Sequence, residues 1–210
     1  MTEKNTVKLT INGEEVEAPA GEMLIKVCHD RGLEVPFFCY HPGLVPEGNC
    51  RMCLVEVVKA PKPMPACTTP VAEGMEIETH SEPAKDARAD VLEFMLSNHP
   101  LDCPICDKSG ECMLQDNSYD HGNDGSRMVE VKQLKPTKEL GNGVKLWGNR
   151  CISCTRCVRF CSDVAGSGEL TMVNRGDRSV VDVFPGYPLQ NPLSGNVVDI
   201  CPVGALTAAP

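Results

Sequence analysis

The sequence predicts an α+β protein assembled from small modules, and three observations carry that expectation. Val7, Leu9 and Ile11 alternate with polar residues, Asn12-Gly13 supplies a tight turn, and Val16 resumes the alternation, which is the pattern of a β-hairpin. From Glu22 the spacing becomes helical through Met23, Leu24, Val27 and Cys28, with Gly32 where a helix C-terminus is capped. Thirteen cysteines in 210 residues are the third observation, because they fall into three sets that one hydrophobic core would not explain.

Residues 36–53 lose all periodicity and carry Pro36, Pro42, Gly43, Pro46 and Gly48, so a loop holding three cysteines is expected. Leu54 to Val58 reads as a strand, Pro61 to Pro65 lead to Cys67, and Met75 with Ile77 suggests a last short strand. A first domain is expected over residues 1–81. Pro83 to Asn98 reads as a helix with Val91, Leu92, Met95 and Leu96 as its buried stripe and Lys85, Asp86, Arg88 and Asp90 at a solvated start. Residues 116–127 read as a polar surface loop closing a second segment, 82–127, and Met128 to Leu134 as a strand opening a third module, 128–210.

The cysteines point to metal. The N-terminus MTEKNTVKLTING has no apolar signal-peptide core and the cysteine number is odd, so a secreted disulfide scaffold is disfavoured. No apolar run approaches the length of a bilayer span, and the chain is expected to be soluble. A formal charge of −9 opposes nucleic-acid binding, which needs a basic footprint. Aromatic residues make up only 4%, so small cores must lean on aliphatic side chains and on metal-ligand bonds, whose free energy becomes folding free energy.

The first set is Cys39, Cys50, Cys53 and Cys67, spaced C-x10-C-x2-C-x13-C. A C-x2-C turn aims two sulfurs the same way, and an irregular loop turns backbone N–H groups towards sulfide; only the x2 element and the remote last ligand match the plant-type ferredoxin spacing. A zinc loop is the competing account of this spacing. The second set is His99, Cys103, Cys106 and Cys112, H-x3-C-x2-C-x5-C, with Gly110 placed for a tight turn. Spacing alone leaves His99 open between a capping or surface residue and a ligand.

The third set, Cys151, Cys154 and Cys157 with a distant Cys201-Pro202, is the most specific signal in the chain. Three thiolates at x2 spacing wrap one face of a cubane and a remote Cys-Pro closes it. Cys161 stands at the x3 position, where two-cluster ferredoxins lend a cysteine to a second cluster, but no second triplet exists here. It is read as a spare, with an exchange with Cys201 left open. Cys28, on an apolar helix face, reads as a small buried thiol.

Taken together, these stretches resemble a known family. HPLDCPICDKSGECMLQD, NRCISCTRCVRFC and SGNVVDICPVGALT, with FCYHPGL and NCRMCLVEV before them, resemble the large iron-sulfur subunit of NADH:quinone oxidoreductase, respiratory complex I, over essentially all 210 residues. The resemblance implies a β-grasp [2Fe-2S] ferredoxin domain, a helical segment with a histidine-ligated [4Fe-4S] site and a ferredoxin-like [4Fe-4S] module. It favours His99 as a ligand, so that eleven cysteines and one histidine hold three clusters, with Cys28 and Cys161 left over. One histidine in place of a thiolate removes one negative charge from its cluster, as at Rieske centres, and three loaded clusters bring the formal charge to roughly −14. Arg51, Arg150, Arg156 and Arg159 flank ligands and either offset this charge or lie on the surface.

The implied role is an electron relay without substrate chemistry or a catalytic residue. It would stand between an FMN-containing, NADH-oxidising subunit and a further iron-sulfur subunit, in a peripheral arm on the cytoplasmic face of the inner membrane. Family members usually continue into a large molybdopterin-oxidoreductase-like domain, whereas this chain stops at Pro210. Two rivals remain: the diaphorase iron-sulfur subunit of an NAD-reducing hydrogenase or NAD-dependent formate dehydrogenase, and a zinc-binding interaction module. GNGVKLWG lacks the G-x-G-x-x-G spacing, no P-loop is present, and His29, His41, His80 and His121 have no ligand-like company.

Overall fold

A computed structural model describes residues 6–209; the outermost residues of the first and last expected domains, 1–5 and 210, lie outside it. Contacts divide the chain into two compact units, one running to Phe37 and over Pro46–Leu92, the other comprising Phe38–Val45 and everything from Glu93.

The first unit is a mixed five-stranded sheet of the β-grasp kind. Strands β1 (Thr6–Ile11) and β2 (Glu14–Pro19) form the hairpin, in the register Leu9 to Val16, around Asn12 at φ 51° and Gly13 at φ 83°. Both central residues having positive φ matches the right-handed twist of the strands. Helix α1 (Leu24–His29) buries Leu24, Ile25, Val27 and Cys28. Strands β3 (Leu54–Val57), β4 (Met64–Pro65) and β5 (Glu76–Glu78) complete the order β2-β1-β5-β3-β4, with β5 parallel to β1 and antiparallel to β3. Leu9, Ile11, Leu24, Ile25, Val55 and Ile77 make its core.

Helix α2 spans Glu82–Asn98, and its buried face differs from the expected stripe. Ala84, Arg88, Ala89, Leu92 and Glu93 are buried, while Val91, Met95 and Leu96 are half-buried. Arg88, expected at a solvated start, is 1% exposed because its Nε and Nη2 donate to the Leu54 carbonyl at 3.0 and 2.8 Å. A guanidinium that satisfies a backbone acceptor can lie inside where a lone charge cannot.

In the second unit, residues expected as a polar loop form helix α3 (Met113–His121). Met113 and Leu114 start it, and it ends at Gly122, where a Cβ would collide with the Ser118 carbonyl. The expected strand over Met128 to Leu134 is absent: the segment is irregular, with Val129, Val131 and Leu134 exposed. Side-chain anchors replace ladder pairing. Arg127 pairs with Glu93, the Lys132 ammonium donates to the Leu96 and Ser97 carbonyls at 2.7 and 3.0 Å, and Gln133 N–H donates to Asn98 Oδ1 at 2.9 Å.

Strands β6 (Thr137–Gly141) and β7 (Val144–Trp147) form a second hairpin around Asn142-Gly143. Helix α4 (Arg156–Arg159) runs into a π-type turn, Phe160–Val164, and strands β8 (Leu170–Val173) and β9 (Val180–Val183) pair with each other. Helix α5 (Asn196–Ile200) leads through Cys201-Pro202 to β10 (Leu206–Ala208), which joins the sheet in the order β10-β7-β6. Leu140, Leu146, Leu170, Val197 and Val203 are its buried centre. Among the described residues no helix is long and apolar enough to cross a membrane.

Candidate functional site

Each of the second and third sequence sets gathers around a cavity in the second unit. His99, Cys103, Cys106 and Cys112 all line one of about 790 Å3, together with Asp102 and Gly204. Cys151, Cys154, Cys157 and Cys201 all line another, closed by Leu146 and Val181. Cys161, fully buried in the π-type turn, is not among the residues lining it. Among the described residues no three His, Cys, Asp or Glu side chains are grouped as ligands of a single metal ion. A cluster of several irons and sulfides fills a larger space than one ion; the first cavity has that room, whereas the second, at about 10 Å3, must open around its four cysteines to take one.

Local structure explains how the donors are aimed. His99 follows the last turn of α2, whose terminal carbonyls the Lys132 ammonium caps. Burial pushes its imidazole below the ordinary histidine value, which keeps it neutral and able to ligate, and Nδ1 is buried without a hydrogen-bond partner. An orphaned, neutral ring nitrogen is unfavourable unless something accepts its lone pair or proton, so the donor set fits a metal cluster. Cys112 stands at the N-cap of α3. Burial raises its thiol, opposed by the backbone N–H groups of Gln115 and Leu114; free N–H groups at a helix start are suited to a sulfur carrying negative charge.

In C-I-S-C-T-R-C, Ser153 has φ 55° and Thr155 φ 61°. Left-handed residues at such spacing turn successive N–H groups to one side, forming a concavity that suits anions and iron-sulfur groups, and each costs about 1 kcal/mol outside glycine. Ser153 N–H donates to Cys151 Sγ at 3.4 Å. Burial pushes the Cys154 thiol up to about 12 and raises Cys151 and Cys157 as well. Thiolates at such positions need a compensating cation, which bound iron would supply.

The first set has members in both units. Cys50, Cys53 and Cys67 are buried in the first unit, Cys53 and Cys67 at the same end of the antiparallel β3–β4 pair, and Arg51 between the first two has φ 60°. Burial lowers the Arg88 guanidinium below its ordinary value, partly opposed by the charge of nearby Cys53 and Cys28. Cys39 is buried in the second unit. There the Arg159 guanidinium donates to the Cys39 carbonyl, and to Val45 O at 2.7 Å, while Arg156 donates to Tyr40 O at 2.7 Å.

Of the four flanking arginines, Arg51 is exposed, and Arg150, Arg156 and Arg159 are 2%, 5% and 8% exposed. Asp102, Gly204, Lys132 and Arg88 lie against candidate ligands or the segments carrying them, without a motif that marks them in the sequence. The one signal is position: Asp102 precedes a ligand, and Gly204 follows Cys-Pro after one intervening residue.

Comparison with known proteins covers nearly the whole chain. Residues 4–82 match a 2Fe-2S iron-sulfur cluster binding domain, residues 88–127 the NADH-ubiquinone oxidoreductase-G iron-sulfur binding region, and residues 141–207 the ferredoxin-like domain of NADH-quinone oxidoreductase subunit 3. The chain therefore carries 2Fe-2S and 4Fe-4S binding domains. It is 50% identical to the mitochondrial NADH-ubiquinone oxidoreductase 78 kDa subunit of Neurospora crassa over 97% of its own length, and 47% identical to an NADH-quinone oxidoreductase subunit of Rickettsia bellii, also over 97%. It spans only 28% and 30% of those relatives. A chain in the crystal structure of an NAD+-reducing [NiFe]-hydrogenase in the H2-reduced state is similar in fold, with a TM-score of 0.86 at 28% identity, over 96% of this chain and 87% of that one.

Proposed function

The chain belongs to the family of the large iron-sulfur subunit of NADH-quinone oxidoreductase, and from that membership we propose that it is an electron relay within such a complex. In this reading it takes electrons from an FMN-containing, NADH-oxidising subunit and hands them to a further iron-sulfur subunit on the way to quinone. It works in a peripheral arm on the cytoplasmic face of the inner membrane and has no substrate-converting residue of its own.

The ligand assignment is Cys39, Cys50, Cys53 and Cys67 for one [2Fe-2S] cluster. His99, Cys103, Cys106 and Cys112 hold one [4Fe-4S] cluster, and Cys151, Cys154, Cys157 and Cys201 hold a second. The observation that carries it is the collection of each of the last two sets around its own cavity, with the His99 nitrogen buried and unpartnered in the first of them. The spacing of the first set, which falls within the matched 2Fe-2S domain, supports the two-iron site.

A bound cluster supplies one-electron exchange without proton chemistry. The chain's own residues bury most of the ligand sulfurs, leaving Cys103, Cys106 and Cys151 half-buried, direct N–H groups of Ser153, Leu114 and Gln115 at the sulfurs, and hold ligand loops through Arg156, Arg159 and Arg88. Burial makes the potential of each site sensitive to nearby charge, because a low dielectric screens little.

A diaphorase subunit of an NAD-reducing hydrogenase is the second reading, favoured by the match to 87% of the hydrogenase chain. Purification of the native complex separates the two: quinone reduction by NADH supports the first, and hydrogen-linked NAD reduction overturns it. The relay itself is tested on anaerobically purified chain by iron and sulfide analysis and by EPR of the reduced protein. Brown protein with two kinds of cubane signal and one two-iron signal is expected; colourless protein holding zinc would overturn the assignment.

A further inference from the structure

One ion pair, buried on its arginine side and half-buried at its carboxylate, joins the second and third cradles at their first cysteines. Asp102 immediately precedes Cys103 and Arg150 immediately precedes Cys151. Arg150 Nε and Nη2 both donate to Asp102 Oδ2, at 3.0 and 2.8 Å. The guanidinium is 2% exposed and lies over the Trp147 ring, its carbon 4.4 Å from the ring centroid. Trp147 is fixed in turn by its indole N–H, which donates to the buried Thr207 hydroxyl at 3.1 Å. Asp102 also lines the His99 cavity, whereas neither member of the pair lines the cavity of Cys151, Cys154, Cys157 and Cys201.

A fully desolvated arginine is costly to keep, and the second unit has many apolar ways to fill such a volume. What an apolar filling would lack is a rigid tie with no net charge beside a redox site. We propose that Asp102 and Arg150 are positioning residues for the His99 cradle: the pair pins the turn carrying Cys103 to the turn carrying Cys151, and its two opposite charges set the potential at which the His99 set exchanges an electron. The inference rests on the reading that this set holds a cubane.

The two halves of the pair make opposite electrostatic demands. Without the Asp102 carboxylate, an uncompensated guanidinium stabilises the added electron; without the guanidinium, an uncompensated carboxylate opposes it. The test is an EPR-monitored redox titration of anaerobically purified wild type, Asp102→Asn, Arg150→Gln, the double variant and Arg150→Lys. The His99 signal is assigned beforehand by its change in His99→Cys.

The expected result is an upward shift of its midpoint potential in Asp102→Asn, a downward shift in Arg150→Gln, and a return towards wild type in the double variant, with smaller shifts at the other cubane. Arg150→Lys, which keeps the charge, stays nearer wild type than Arg150→Gln. Single variants that shift in the same direction, or not at all, overturn the proposal. Should Arg150→Gln fail to assemble its clusters, the sign of the Asp102→Asn shift decides alone: upward supports the pair, unchanged or downward overturns it. Failure of the underlying reading looks different, because the wild type would then show no His99-dependent cubane signal.

Discussion

The backbone at Gly204 passes so close to the Cys106 sulfur that a Cβ there would collide with it. Gly204 follows the Cys201-Pro202 pair of the third cradle, and Cys106 belongs to the second, so the two share a wall. The other side of the clash is the sulfur of a candidate ligand, Cys106, at the end of the short turn Cys103–Ile105; a sulfur held by a cluster could not swing aside into the cavity it lines.

Gly204→Ala is therefore expected to displace Cys106 and to broaden or remove the His99-dependent cubane signal, while the two-iron signal is unchanged. Overpacking of this kind costs about 1–3 kcal/mol. EPR of the reduced variant alongside its iron content checks it, and an unaltered His99-dependent signal would show that the wall is soft.

Arg88 offers a test in the first unit. Its guanidinium is buried and bonded twice to the Leu54 carbonyl, one residue beyond Cys53. Arg88→Met keeps much of the volume but leaves that acceptor unpaired, a loss of about 1–3 kcal/mol. The expected outcome is a lower unfolding midpoint in guanidinium and a weakened two-iron signal, with the cubane signals retained. Equal stability of variant and wild type would mean that water replaces the guanidinium without cost.

Those two residues also show how far the sequence is legible. Ligand sets are written in spacing, since a turn of fixed geometry must carry two sulfurs, and the hairpin is written in alternation around Asn12-Gly13. Asn142-Gly143 carries the same turn signal but is harder to read, because the short flanking strands, Thr137–Gly141 and Val144–Trp147, alternate weakly. Arg88 reads as solvated because charge predicts exposure unless the partner is known, and its partner is a backbone carbonyl 34 positions away. Helix α3 reads as loop because its residues are polar, yet its N–H groups have a sulfur to cap. Residues 128–134 read as a strand on their apolar residues, but no neighbouring strand takes up their backbone groups.

That irregular segment carries the third prediction. Its placement depends on Glu93, whose side chain is 4% exposed and bonded to Arg127 through both backbone and side chain. The Arg127 contacts hold the Glu93 carboxyl below the ordinary carboxylate value. Glu93→Gln weakens the clamp while keeping shape. Thermolysin, which cuts before aliphatic residues, is expected to cleave at the exposed Val129, Val131 and Leu134 on the order of tenfold faster, as local opening becomes more frequent. Cleavage at the wild-type rate would place the restraint on Lys132 instead.

The last prediction concerns the one cysteine in the first unit outside the ligand sets. Cys28 lies fully buried on α1, and burial pushes its thiol up to about 11, partly opposed by the nearby positive charges of Arg31 and Arg88. A folded value above the unfolded value near 9.0 means that the unfolded chain releases this proton first as pH rises. The stability from the neutral buried thiol is thus fully present below pH 9 and is lost as pH climbs through about 11, a decline of about 2–3 kcal/mol. Cys28→Ala has no proton to lose. Its deficit at pH 8, about 1 kcal/mol for the deleted sulfur, is expected to shrink and reverse by pH 11 when unfolding midpoints of the two proteins are compared in parallel. Because lysines and tyrosines titrate in both proteins alike, only the gap between them reports on Cys28, and a gap that stays constant over this window would mean the thiol ionises inside the fold as readily as outside it.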